Sequence, residues 1–401
     1  MTIAIYIVKV VQKIDLIIYL LFIYILTNMM EPVIKITSEE NNTMLFTMSN
    51  ISHSLANSLR RIILSDIPTF VFRTFPHSES KVNITINTTR LNNEILKQRI
   101  GCIPIHIRDP DFPYKEYVVE VDKINTSDVI ELVTTADFKI KNVSTDKYLS
   151  ESATREIFPP DPYTGDYIVI SRLRPKLSEN INGEHLQFTA ALDISTAKQD
   201  GMYNVVSTCA YGSTVDMVKA NDKWNDKKQD IIKAGQSEAE IEFEKSDWFL
   251  LEAKRIVVPN SFDFTIETVG VFSNSEIVRS ACKIMIDKCT KFTSMLSEGK
   301  IDIKLNDNTT VNNEYIITLQ NEDYTLGNVL VYFLYENYYN GANKTLSFVG
   351  FKVPHPHIPN GIIRMAFEAN SDKTEVIQYL TNASHDVITT YTNIMANFNV
   401  D

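Results

Sequence analysis

Residues 47–59 read TMSNISHSLANSL, and residues 318–330 read TLQNEDYTLGNVL. At one constant offset Thr47, Asn50, Leu55, Asn57 and Leu59 recur as Thr318, Asn321, Leu326, Asn328 and Leu330, and Ser54 and Ala56 are matched in kind by Thr325 and Gly327. A self-similar stretch of this sort exposes architecture before any single element is assigned. Each copy follows an apolar, strand-like run, Met44-Leu45-Phe46 or Tyr315-Ile316-Ile317, and each opens a helix. Ile51, Leu55, Leu59, Ile62 and Ile63 mark one face of the first helix, and Leu326, Val329, Leu330, Phe333 and Leu334 mark that of the second. The small residues Ala56 and Gly327 permit close approach of another backbone. Asn50 and Asn321 suit helix entry, where a short amide accepts a bond from a free N–H.

A second strand and helix follow each copy. Phe262-Asp263-Phe264-Thr265-Ile266 alternates like a half-buried strand. Ser273 and Glu276 then have capping-box form. The helix after them carries Ile277, Ala281, Ile284, Met285, Cys289, Phe292 and Leu296 and meets Gly299, a residue suited to ending it. In the rear half Gly361 to Met365 forms the strand, and Val376, Ile377, Leu380, Val387, Ile388, Tyr391 and Ile394 mark the last helix. Each half is a small sheet with two amphipathic helices, and alone it leaves apolar helix surface uncovered. Burial at about 25 cal/mol per Å² favours covering that surface with the other half. The expected fold is therefore α+β: two modules, each a small antiparallel sheet plus two helices, paired about a pseudo-twofold axis through their helices. Leu55, Leu59, Ile62, Ile63, Ile284, Phe292, Leu326, Leu330, Phe333, Leu380 and Ile388 are the expected pairing residues.

The first module is interrupted. Strand-like runs at Val82–Ile86, Tyr117–Val121, Tyr167–Ile170 and Leu186–Ala190, with a short helix near Asn93–Arg99, read as an inserted β-rich domain. The expected divisions are residues 1–29 as a hydrophobic extension, 30–75 with 258–298 as the first module, 76–257 as the insert and 299–401 as the second module. Residues 216–244 are polar, charged and helix-compatible. Within the extension, Leu16–Leu26 is an unbroken apolar run, shorter than the roughly 20 residues a spanning helix needs. It reads as a membrane anchor, a signal-like segment or residues upstream of the natural start. The third reading is favoured, because Met29 and Met30 directly precede the first globular pattern.

The chain has 401 residues, 44% hydrophobic and 22% charged, which suits two or three globular domains. A net charge of -11 repels phosphates and argues against a stand-alone nucleic-acid binder. The four cysteines form no CxxC pair, and Cys282 and Cys289 on one helix stand about 10 Å apart, too far to bridge. No phosphate-cradling GxxxxGK run occurs. His355 and His357 sit among prolines and read as a loop, as do Asp109 and Asp111. Neither a catalytic site nor a metal or cofactor is expected.

Residues 57–69, NSLRRIILSDIPT, resemble the signature of the alpha-like subunit of RNA polymerase, a family that includes bacterial alpha, archaeal D and the third subunit of eukaryotic polymerase II. Leu91 to Ile95 followed by Gln98-Arg99-Ile100-Gly101-Cys102-Ile103-Pro104-Ile105 is similar to the next motif of that family. Glu322 to Asn328, including Gly327 and Asn328, with Gly350 to Pro356, including Pro354, His355 and Pro356, resembles the small partner, archaeal L or the eukaryotic eleventh subunit. The resemblance covers about residues 31–398 and implies two partner chains joined in one, as in large DNA viruses of eukaryotes. It implies a non-catalytic scaffold on which the largest and second-largest subunits, with small ones, assemble for transcription. It implies contact with DNA or RNA only through the complex, no membrane, and an intracellular setting: a host cytoplasmic virus factory or virion, less so a nucleus. The triple-aspartate magnesium motif of the polymerase centre is missing. So is the cysteine-rich metal loop of eukaryotic third subunits. The resemblance makes Arg60 and Arg61, with Asn57, contacts to the second-largest subunit; read alone, the two arginines are solvated charges near a helix C-terminus. Two rival functions are a membrane-anchored protein-binding adaptor, resting on residues 1–28, and a self-contained enzyme.

Overall fold

The strand that precedes each copy of the repeat runs Thr43–Ser49 in the first and Glu314–Gln320 in the second, the same positions of the repeat. A computed structural model describes residues 31–176, 178, 181–306, 311–341 and 344–398. Expectations for residues 1–28, including the apolar run at Leu16–Leu26, lie outside the described residues. Eight α-helices occur among the described residues: α1 (His53–Ser65), α2 (Asn93–Gly101), α3 (Glu151–Ile157), α4 (Met217–Lys233), α5 (Glu238–Leu250), α6 (Asn274–Ser297), α7 (Tyr324–Leu334) and α8 (Lys373–Ala396).

The repeat extends to the turn between strand and helix. Asn50 and Asn321 both adopt left-handed backbone, with φ of 59° and 58°. Asparagine enters that region more readily than most side chains, so both residues act as the turn and not as the helix cap expected of them. The caps fall two residues later, again at matched positions. Ser52 Oγ accepts from the Leu55 N–H at 3.4 Å, and Asp323 Oδ1 accepts from the Thr325 N–H at 2.8 Å.

The two modules share one topology. The first sheet has the strand order Val33–Glu40, Thr43–Ser49, Val257–Thr268, Val206–Val215; the second has Asp302–Leu305, Glu314–Gln320, Asn360–Phe367, Leu346–Lys352. In both, the fourth strand in sequence slots beside the second, and a helix of 24 residues follows it, α6 or α8. The Ser273–Glu276 capping box closes as expected: the Ser273 N–H donates to Glu276 Oε2 at 2.7 Å, and the Glu276 N–H donates to Ser273 Oγ at 3.3 Å. Gly299, at φ +69°, ends α6.

Two compact units result: residues 31–62, 209–266 and 278–398, and residues 63–208 with 267–277. This differs from the expected insert of 76–257. Residues 209–257 group with the modules because the strand Val206–Val215 pairs with Val257–Thr268. Residues 63–75 group with the β-rich unit because Thr69–Val71 pairs with Asp193–Ser195. Helices α4 and α5 form a hairpin at a connection where the second module has only the turn around Pro354–Pro356. Trp224 and Trp248 face each other across it, and Lys227 reaches Glu244 at 2.9 Å.

The second unit is built on a five-stranded antiparallel sheet in the order Val82–Asn87, His185–Ala191, Tyr117–Ile124, Lys139–Asn142, Lys147–Tyr148. Its core holds Phe72, Leu96, Ile100, Val119, Val133, Phe138, Leu186 and Phe188. A separate two-stranded ribbon pairs Glu131–Thr134 with Val169–Leu173.

Candidate functional site

The helices of the repeat are buried on more than one side. In α7, Thr325, Leu326, Gly327, Val329, Leu330, Phe333 and Leu334 are all buried, and in α1 Leu55, Ala56, Ser58, Leu59, Ile62 and Ile63 are. A sheet can cover one side of such a helix; the remainder needs a second surface. Within the first unit that surface is the other module.

Polar contacts fix the register of the pairing, and they fall at matched positions of the two copies. Arg61, near the end of α1, donates from Nε to Thr325 Oγ1 at 2.8 Å and from Nη2 to Asp323 Oδ2 at 2.7 Å. Tyr332 occupies the position of Arg61 in the other copy and Ser52 that of Asp323, and Ser52 stands close enough to the Tyr332 phenol to offset part of the rise that burial gives it. At matched positions each helix thus sets a long side chain from its last turns towards the N-terminal end of the other, where Arg61 makes its hydrogen bonds to Thr325 and Asp323. This is the isologous pattern expected of a twofold contact, with i meeting j and j meeting i. The Asp323 carboxylate stands between the Arg61 guanidinium and the positive N-terminal end of α7, taking a bond from each side.

The long helices complete the contact. Tyr391 of α8 is fully buried, and its hydroxyl donates to the Leu55 carbonyl at 3.1 Å while bonding Ser58 Oγ. Ser58 Oγ itself lies 2.9 Å from the same carbonyl. Burial pushes the Tyr391 phenol far above its ordinary value. Arg279 of α6 donates from Nη1 to the carbonyls of Met395 and Phe398, at 3.2 and 2.9 Å, and so caps the C-terminal end of α8. Lys288 of α6 lies 3.3 Å from the Glu322 carboxylate just before α7. Phe398 packs edge-on to Phe46, with ring centroids 5.2 Å apart, and Phe46 stacks on Phe264 at 5.0 Å. First-module and second-module side chains therefore share one core.

Of the expected pairing residues, Leu55, Leu59, Ile62, Ile63, Phe292, Leu326, Leu330, Phe333 and Leu380 are buried. Ile284 and Ile388 are half-buried, one position away from the fully buried Met285 and Val387. Gly327 does not admit another backbone. A Cβ there would stand 2.3 Å from the Phe351 ring, as it would at Gly361, so both glycines make room for that ring. Arg60 folds back on Asn57, donating to Oδ1 from Nε at 3.1 Å and Nη2 at 2.9 Å. Both are half-buried, as is Asn328. Arg61 is not a bare solvated charge; Thr325 and Asp323 hold its guanidinium while the side chain stays 37% exposed.

The remaining motif residues sit elsewhere. Arg99 of α2 holds the carbonyls of Ile170 and Val169 at 2.8 and 2.6 Å, and Gly101 is buried where a Cβ would come within 2.7 Å of Met202 Sδ. Pro104 is half-buried. Pro354, His355 and Pro356 form an exposed turn, in which the His357 N–H donates to His355 Nδ1 at 3.1 Å. Sequence reasoning missed Ser52, Ser58, Arg279, Asp323 and Tyr332. The available signal for Asp323 and Tyr332 was the repeat itself, which sets them opposite Ser52 and Arg61. Among the described residues no group of His, Cys, Asp and Glu is arranged to hold a metal, and no helix is long and apolar enough to cross a membrane.

Fold and pairing face define a class: one chain carrying two like α+β modules that dimerise with each other. The RNA polymerase Rpb3/Rpb11 dimerisation domain matches residues 45–289 and, in a second match, residues 314–397, and the chain belongs to that family. It is 30% identical over 288 residues to the Dictyostelium discoideum DNA-directed RNA polymerases I and III subunit rpac1, covering 64% of this chain and 79% of that protein. It is 25% identical over 281 residues to the Pyrococcus furiosus DNA-directed RNA polymerase subunit Rpo3, covering 66% and 97%. A shorter match, 35% over 83 residues, joins it to the Schizosaccharomyces pombe DNA-directed RNA polymerase II subunit RPB3, covering 21% and 26%.

Proposed function

We propose that this chain is a non-catalytic assembly subunit of a multisubunit DNA-directed RNA polymerase, and that its paired modules are the platform on which the largest and second-largest subunits dock. The observation that carries the reading is the clasp between two dimerisation modules of one chain, in which Arg61 holds Thr325 and Asp323 and the buried Tyr391 holds the Leu55 carbonyl. In this reading two partner subunits are joined covalently, which raises their effective concentration and fixes their stoichiometry. The first module, with its edge strand Val206–Val215, acts as the third-subunit-like module, residues 299–401 act as the eleventh-subunit-like module, and the β-rich segment before residue 206 is an appendage. Small polymerase subunits join the same complex, nucleic acid meets the chain only through that complex, and nucleotidyl transfer belongs to other chains. The setting is intracellular, with a viral transcription apparatus as the source that best suits two modules in one chain.

Arg60, Arg61 and Asn57, half-buried on α1, are the side chains offered to the second-largest subunit, with Arg61 also tied to Thr325 and Asp323. Affinity purification of the full chain followed by native mass spectrometry tests the proposal. Two large subunits recovered in fixed ratio with this chain are the expected result. Recovery of the chain alone, or with proteins unrelated to transcription, overturns it. Arg60→Ala is expected to weaken recovery of the second-largest subunit at raised salt, with the chain's own melting temperature unchanged.

A further inference from the structure

The β-rich unit holds a cavity of about 630 Å³ beside the ribbon that pairs Glu131–Thr134 with Val169–Leu173. Four arginines line it: Arg90, Arg99, Arg172 and Arg174. In a chain of net charge -11 this is a local concentration of positive charge. Two of the four are already engaged. Arg99 holds the Ile170 and Val169 carbonyls, and Arg174 Nε meets the buried Glu184 carboxylate at 2.6 Å. Arg90 and Arg172 are exposed, and neither guanidinium has a hydrogen bond or ion pair among the described residues. Between the arginines the wall is apolar. Leu91, Ile130, Leu132 and Ile170 line it, with Ile130 61% and Leu132 41% exposed. Ser171 also lines it, is 3% exposed, and has a buried hydroxyl with no hydrogen-bond partner.

We propose that this cavity docks a short segment of a partner protein in which carboxylates alternate with large apolar side chains. The size suits a few side chains, since binding cavities run about 300–1,000 Å³. A free guanidinium fork matches a carboxylate with two parallel bonds, and Arg90 and Arg172 supply two such forks. The exposed Ile130 and Leu132 gain by burial against an apolar side chain. A nucleic acid fits less well. None of the lining residues is aromatic, so the cavity offers no ring on which a base can stack, whereas its exposed leucine and isoleucine suit an aliphatic side chain.

Fluorescence anisotropy on the full chain tests this with three fluorescein-labelled probes: an octapeptide alternating Glu and Leu, one alternating Glu and Ser, and an octamer of thymidylate. The Glu–Leu peptide is expected to bind the natural chain more tightly than the Glu–Ser peptide. Arg90→Ala with Arg172→Ala is expected to weaken it about tenfold or more. Leu132→Asn, which keeps every charge, is expected to narrow the difference between the two peptides. All three substitutions fall on exposed side chains, and an unchanged far-ultraviolet circular dichroism spectrum and melting curve confirm that the variants are folded. The proposal is overturned by failure of the Glu–Leu peptide to bind, by equal binding to the double variant, or by equal binding of the two peptides. It is also overturned if the thymidylate octamer binds at least as tightly and loses that binding in the double variant, which would make the cavity a nucleic-acid site.

Discussion

Tyr391→Phe removes one oxygen from the centre of the module contact and nothing else. The phenol is fully buried, 3.1 Å from the Leu55 carbonyl and bonded to Ser58 Oγ. After the change Ser58 still donates to Leu55 O at 2.9 Å, so no carbonyl is orphaned. The loss is that of one or two neutral hydrogen bonds, each worth about 1 kcal/mol net, so about 1–2 kcal/mol in total. Ser58→Ala leaves the tyrosine its bond to Leu55 O and costs about 1 kcal/mol. In the double variant the shared bond is counted once, so the two effects sum to more than the double loss, with a coupling of about 0.5–1 kcal/mol. Tyr391→Ala, which empties a ring-sized space, costs about 3–5 kcal/mol. Urea denaturation followed by tryptophan emission reads these values, because both tryptophans, Trp224 and Trp248, lie in the unit that contains the contact. Strict additivity of the two single variants, or a Tyr391→Phe midpoint equal to that of the natural chain, would refute the placement of α8 against α1.

Two further outcomes follow from local geometry. Gly327→Ala raises helix propensity by roughly 1 kcal/mol, yet its Cβ meets a Phe351 ring already confined by Gly361; the clash prevails and the net effect is a lower melting temperature, with overpacking of about 1–3 kcal/mol. Burial, with a smaller push from Arg108, holds the His106 imidazole below its ordinary value of 6.5. The unfolded chain then takes up that proton at higher pH than the folded one, so this stability is present above pH 6.5 and is lost as pH falls through 6.5 towards the folded value. His106→Gln is expected to flatten that part of the stability–pH curve; an unchanged slope would show that other groups set it.

The repeat carried most of the fold in plain view, because strands, turn and helix keep their positions in both copies. The α7 stripe from Leu326 to Leu334 read as one face, and the burial of Thr325 and Gly327 beside it shows that the helix is covered on more than that face. Other features depend on contacts between residues far apart in sequence. Nothing in residues 206–215 says that they pair with 257–268, so the helical hairpin between them was assigned to the insert. Asn50 and Asn321 were misread because asparagine suits both a cap and a left-handed turn; the choice is made by Ser52 and Asp323 two residues later. The intramolecular bonds of Arg61 were hidden for a related reason: its target, Asp323, is brought near only by the pairing. Gly327 signalled close approach correctly, but the group that approaches is a phenylalanine ring from its own module.

Cutting the chain between Gly299 and Lys300, at an engineered protease site, tests the pairing most directly. Native mass spectrometry of the cleaved protein at micromolar concentration should show one particle holding both pieces, which separates only when urea is added. Two pieces that drift apart in plain buffer, each folded and each with its helices open to solvent, would contradict the account.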